Sequence, residues 1–237
     1  MFSPILPLLT KGSKWLTVGD GRWGLDSIRL KKIEPSISIL PTDLSPYLLE
    51  KSKEKKYIED FREENAERLS FADDQFEYTF CKEAYHHFPR PFLAVYEMLR
   101  VSRKGIVLIE PRDQFPRPVV RLIIEHARRI ISKVLGKKLL HPDSNNFEGR
   151  ANYVYTISER EFEKMCIAIQ LPLIAYYYFD DHYEEGVEFE PFNQNGPLYR
   201  KIRKRLLLAG LKTKLGLRKA GHMACIIFKE EIGRAHV

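Results

Sequence analysis

Cysteine is scarce in this 237-residue chain, and the three present, Cys81, Cys166 and Cys225, are far apart and odd in number. That excludes a disulfide scaffold and argues against a zinc cluster; it points to free thiols in a reducing compartment, so a cytoplasmic location is expected. Long apolar runs are missing as well. The best candidate, Leu171 to Phe179, is interrupted by Pro172 and falls far short of the roughly 20 residues that cross a bilayer. The apolar start, Met1 to Leu9, contains Pro4 and Pro7 and has neither a leading base nor a small-residue cleavage site, so it does not read as a secretory signal. Core-forming residues are not lacking. At 44% hydrophobic and 12% aromatic, the chain is not disordered.

The net charge of +7 raises nucleic acid and anionic membrane as partners, depending on whether the charge is clustered. The last seven residues, Glu231 to Val237, resemble a translated sequencing adapter and are set aside. Residues 1–230 are then expected to form one domain, with 12–111 as its cofactor-binding half and 112–230 as a substrate-side half with insertions.

Strand and helix alternate through the first half. Lys14 to Val18 is β-prone and Leu25 to Lys32 helical; Ile37 to Leu40 reads as a second strand, and Ser45 to Lys55 as a helix with Ser45 at its N-cap. Phe61 to Asn65 and Phe76 to Cys81 are candidate strands, Pro91 to Val101 has helical spacing, and Ile106 to Ile109 is the clearest strand. Such alternation is the signature of a parallel sheet covered on both faces. Further on, Pro118 to Leu135 reads as a long helix, Lys137 to Asn152 as a polar loop, and Ser158 to Glu161 as a capping box opening another helix. Leu173 to Phe179 and Met223 to Phe228 complete the strands.

Between the first strand and helix lies Gly19-x-Gly21-x-x-Gly24, which lets backbone pass close to a ligand and aims a helix N-terminus at it. Asp43 ends the next strand, where a carboxylate can accept both hydroxyls of a ribose. Together they indicate an adenosine-containing cofactor, either a dinucleotide or S-adenosylmethionine. A second block decides between them: Glu64 to Glu77, then Cys81 to Pro89, then Glu97 to Val101 with Gly105 and the strand to Glu110. In order and spacing, roughly residues 12 to 111 resemble class I S-adenosylmethionine-dependent methyltransferases, most closely the small-molecule group called type 11.

The resemblance implies a Rossmann-like α/β fold, with a seven-stranded, mostly parallel sheet whose last strand runs antiparallel and helices on both faces. It implies S-adenosyl-L-methionine as cofactor, with Gly19, Asp20, Gly21 and Gly24 beneath its amino-acid part and Asp43 and Leu44 at its ribose. Asn65 and Ala66 would meet adenine; Cys81, Lys82 and Glu83 would end the fourth strand beside the methyl. The chain departs from the family pattern at three places. Thr17 stands where an acid usually opens the first motif, Asn65 replaces a common Asp, and Ser102 to Gly105 shortens a Lys-Pro-Gly-Gly turn.

Methyl transfer from a sulfonium is an in-line displacement that needs alignment and a dry pocket, and no metal. A hydroxyl acceptor also needs a base, and His86, His87 and Glu83 are the candidates; the competing reading has the histidines packing at a helix start and Glu83 as a plain strand-end acid. Glu110 and Asp113 end the fifth strand on the same edge, as ligand contacts or an ordinary solvated loop. The rings of Tyr176 to Phe179 read as core. Asp180, Asp181, Glu184, Glu185, Glu188 and Glu190 form either a lid selecting a cationic or polyol substrate or a solvated loop. Nine bases and no acid lie between Tyr199 and Ala220, with leucines interleaved, and Arg121, Arg128, Arg129 and Lys133 repeat the theme on the Pro118 helix. Either surface could face anionic lipid or RNA, or be merely solvated. The expected activity is methyl transfer to a small molecule or a cell-surface saccharide or lipid precursor. The rivals are an RNA methyltransferase and a non-catalytic relative that binds the cofactor or a partner; nucleic acid is disfavoured, since no appended RNA-binding module is visible.

Overall fold

The computed structural model describes residues 2–114, 155–190 and 196–230, with isolated positions between 123 and 130. The expected helix Pro118 to Leu135, the loop after it and the 231–237 tail lie outside the described residues. Seven strands form one sheet: β1 (Lys14–Val18), β2 (Ser38–Asp43), β3 (Arg62–Glu63), β4 (Phe76–Lys82), β5 (Ser102–Pro111), β6 (Leu173–Phe179) and β7 (His222–Phe228). Their order is β3-β2-β1-β4-β5-β7-β6, parallel except for β7, which runs antiparallel to both of its neighbours.

Alternation along the strands fills two cores. Leu16, Val18, Ile106, Leu108, Cys225 and Ile227 point to one face, where α3 (Pro91–Val101) and α4 (Glu159–Ala168) pack through Val95, Met98, Phe162 and Met165. Trp15, Val107, Ile109, Ala224 and Ile226 point to the other, with Leu30 of α1 (Leu25–Ile33). Burial on both faces explains why the central strands are continuously apolar. The second face is also covered by the apolar start of the chain: Ser3–Leu8 forms a short 3₁₀ turn whose Ile5 is fully buried, and Phe2 stacks on Phe80.

Several boundaries differ from expectation for local reasons. Helix α2 spans Tyr47–Glu54, not 45–55, and Ser45 makes no side-chain cap. Instead the Ser45 amide donates to Asp43 Oδ1 (2.8 Å), a turn that delays the helix until after Pro46. Strand β3 has only two residues, because after Glu63 the chain turns through the Asn65–Arg68 bridge. The capping box at Ser158 and Glu161 is present. The Tyr176–Phe179 rings are core only in part: Tyr176 and Phe179 pack against the two cores, but β6 is the sheet edge, and Tyr177 and Tyr178 are exposed. Helix α5 (Pro197–Lys214) has no buried residue.

Candidate active site

The loop between β1 and α1 is shaped by glycines. Gly19 has φ +76°, and a Cβ there would collide with Ala84 Cβ; a Cβ on Gly21 would collide with the Asp43 carboxyl. Backbone here runs against the Ala84 methyl at one position and the Asp43 carboxylate at the other, closer than a residue with a Cβ allows. Gly21 N donates to Asp43 Oδ2 (2.9 Å), so the loop is tied to the end of β2.

Beside this loop is a cavity of about 710 Å³, a size typical of small-molecule sites. Gly19, Gly21, Asp43, Leu44, Asn65, Ala66, Glu83 and His87 all line it. Asp43 accepts two backbone N–H bonds, which leaves capacity on a carboxylate for two hydroxyls. Asn65 Oδ1 accepts Glu67 N (2.9 Å), and a carbonyl oxygen has a second lone pair for an adenine amine. Leu44 and Tyr47 are exposed apolar groups on its wall. The residues present therefore fit an adenosine cofactor: glycines where it needs close backbone, a carboxylate for ribose, and apolar walls for a base.

Other expected residues stand elsewhere. Cys81 is fully buried in the core, and burial pushes its thiol well above the ordinary range, so its side chain reaches no ligand. Gly24 is the αL residue preceding α1, packed near Ile58 and Leu49. His86 is also removed from the list of bases. It is buried, with Nδ1 2.6 Å from Glu110 Oε2, and it lines neither cavity described here. Glu110 is no solvated loop residue: it is fully buried and accepts Ala84 N and Tyr85 N (both 2.9 Å) as well as the histidine. Burial raises its pKa, against the opposing effect of His86. Glu110 thus anchors the turn after β4 that presents Glu83 and His87. Asp113 pairs its backbone with Ile157 and lines neither cavity.

Thr17 is buried, its hydroxyl 2.7 Å from Ser27 Oγ and 3.1 Å from Asp20 Oδ2. The carboxylate missing from position 17 is thus supplied three residues later, and Asp20 also accepts Asp26 N and Ser27 N at the start of α1. Burial, with the Asp26 charge, pushes the Asp20 carboxyl up to about 6 despite those bonds.

Asp20 and Lys82 face a second cavity of about 790 Å³ on the other side of the glycine loop. Gly19, Arg22 and Glu83 belong to the walls of both cavities. Glu83 has φ +52°, unusual for a side chain with a Cβ, and strain of this kind concentrates at functional sites. Its Oε1 lies 3.1 Å from His222 Nε2. Burial raises the Glu83 pKa, but the adjacent His222 imidazole and neighbouring positive charge outweigh it, so the carboxyl lies below its ordinary value. His222 lines the second cavity, and its Nδ1 is buried without a hydrogen-bond partner among the described residues. Sequence reasoning missed His222. The signal was topological: an antiparallel return strand begins at the edge where its parallel neighbours end, so its first residue belongs to the site.

The acidic segment divides. Asp181, His182 and Tyr183 line the second cavity. Asp180 instead accepts Gly221 N (2.8 Å) and pairs with Arg218 (2.7 Å), and Glu190 accepts Leu198 N and Tyr199 N at the start of α5. Glu184 pairs with Lys201 (2.6 Å) and with Arg205 and His182. The side chain of Glu188 lies outside the described residues.

Residues 16–109 match the family model described as "Methyltransferase domain". No curated protein matches the chain. Among solved structures, the YcgJ protein of Bacillus subtilis superposes with a TM-score of 0.58 at 17% identity, over 98% of each chain. A SAM-dependent methyltransferase of Archaeoglobus fulgidus superposes with a TM-score of 0.57 at 15% identity, over 96% of this chain and 91% of that one. Those likenesses concern the fold, and its strand order and antiparallel β7 agree with the expected architecture. The glycine loop, the ribose-end carboxylate and the family match fall in one segment: residues 16–109 carry a methyltransferase domain, on a sheet of the class I methyltransferase fold.

Proposed function

We propose that the chain methylates a small molecule or a saccharide or lipid precursor seated in the second cavity, with S-adenosylmethionine in the first. The observation that carries this reading is the shared wall: Gly19, Arg22 and Glu83 border both spaces, so a methyl group at that junction is reachable from the acceptor side. When bound, the cofactor supplies an electrophilic methyl on a sulfonium. Gly19, Arg22 and Glu83 would hold the acceptor against that methyl at the junction of the two cavities. The acceptor proton goes to the Glu83–His222 pair. Glu83, held ionised, is the group that touches the acceptor; His222 orients it and shares the proton. His87, on the wall of the first cavity, remains an alternative base.

Calorimetry with S-adenosylhomocysteine tests the cofactor half. Binding should weaken about a hundredfold or more in Asp43→Ala, because charge-assisted bonds to two hydroxyls are lost together. Binding unchanged in that variant overturns the assignment of the first cavity. Labelled methyl transfer into cell-extract fractions tests the acceptor half. Label is expected among small molecules, saccharides or lipids, and label confined to RNA would replace this reading with an RNA methyltransferase.

A further inference from the structure

Helix α5 differs from the other described α-helices, α1 to α4, in burying nothing. Its inner side faces the acidic segment: Lys201 and Arg205, one turn apart, both reach Glu184, and Arg205 lies 2.7 Å from His182. The two opposed charge clusters of the second half therefore meet each other at Glu184. Among the described residues, Arg200, Arg203, Lys204, Lys212 and Lys214 have no ion pair. On the outward side Leu207, Leu208, Leu211 and Leu215 are 67%, 48%, 54% and 63% exposed. At helical spacing these four fall within an arc of roughly 100°, with Arg203 and Lys214 along one border, Lys212 along the other, and Arg200 and Lys204 toward the N-terminal end.

We infer that this face of α5 docks on an anionic phospholipid surface. A leucine stripe bordered by bases on both sides is the arrangement of a helix lying in a membrane interface. The leucines enter the acyl boundary while the long basic side chains reach back to headgroup phosphates. RNA would use the bases but has no use for exposed leucines; single-stranded binding relies on aromatic stacking, and no aromatic side chain lies in this arc. The surface is also coupled to the site. His182, in contact with Arg205, lines the second cavity together with Asp181 and Tyr183, so docking through α5 sets that cavity beside the bilayer. An acceptor carried on a lipid would then have a short path to the junction at Glu83.

The test is sedimentation of the full chain with vesicles of equimolar phosphatidylglycerol and phosphatidylcholine, against phosphatidylcholine alone. Binding to the anionic vesicles is expected, with little to the neutral ones. Leu207→Ser and Leu211→Ser should each weaken it about tenfold, and Lys204→Ala or Lys212→Ala about fivefold. Lys55→Ala, on an exposed base of another element, should change nothing. Failure to sediment with anionic vesicles, equal binding to both kinds, or binding indifferent to the leucines overturns the proposal. So does retention on single-stranded RNA that persists where vesicle binding is absent. These measurements need neither cofactor nor acceptor, so their failure is distinct from failure of the proposed methyl transfer, which the labelled-transfer assay reads, and from failure of cofactor binding, which calorimetry reads.

Discussion

The two ends of the fold solve opposite problems with the same residue types. Around β1, β4 and β5, carboxylates are buried and satisfied: Asp20 and Glu110 each accept two backbone N–H groups and lie against a hydroxyl or a histidine. Around β6 and α5, carboxylates lie near the surface and pair with long, mobile bases. Burial in a low dielectric makes the first set costly to disturb and geometrically exact in what it holds, whereas solvent screens the second. A cofactor that must present one methyl group in line needs the first arrangement. A region that meets varied acceptors or a surface can use the second.

Removing Glu110 should break that contrast most severely. Glu110→Ala leaves the Ala84 and Tyr85 amides and His86 without their acceptor in a fully buried site. A loss of about 3–5 kcal/mol in unfolding free energy is expected by chemical denaturation. A loss below about 1 kcal/mol would mean the turn after β4 holds itself without the β5 carboxylate.

Asp20 sharpens the comparison through pH. Its folded pKa, about 6, lies above the ordinary 3.8, so its protonated form is favoured by folding. The stability it contributes is fully present below pH 3.8 and is lost as pH rises through 6. Across that window the slope approaches about 1.4 kcal/mol per pH unit. Asp20→Asn, which carries no titrating group, should lack this slope when unfolding is followed at several pH values. Parallel curves for the two proteins would show that the loop leaves Asp20 in a solvent-like environment.

How much of this was legible in the sequence follows the same division. Residues 14–111 place the glycine loop, Asp43, the helical spacing of α3 and the order of elements through local spacing, so their positions could be read from the chain. Whether His86 or His87 faces the site stayed open because two adjacent histidines look alike in sequence. Only the arrival of Glu110 from β5 turns one inward and leaves the other on the cavity wall. His222 was missed, and Tyr177 and Tyr178 were taken for core, because both depend on where β7 and β6 sit in the sheet, a property of long-range pairing. The acidic and basic runs were visible, but that they neutralise each other through Glu184 is a tertiary fact. Thr17 looked like a lost acid, and its replacement by Asp20 depends on a turn no spacing rule encodes.

The smallest expected effect lies at the soft end. Glu184 is held ionised by Lys201 and then His182, its pKa lowered to about 2, so whatever it contributes is present above pH 4.5 and lost only as pH falls toward 2. Glu184→Gln removes the charge that Lys201 and Arg205 share. Because these partners are exposed and screened, the denaturation midpoint near neutral pH should stay where it is, most clearly at high salt. What should change is local. With α5 burying nothing, this cluster, the Glu190 cap and the Asp180–Arg218 pair are what tie it to the β6 end, and loosening one tie favours opening of the segment without unfolding the sheet. Trypsin should therefore cut within 200–214 several-fold faster in the variant while cleavage elsewhere is unaltered. A midpoint shift as large as that of Glu110→Ala would erase the distinction between the two ends, and unchanged cleavage would mean that α5 is held by something other than its charges.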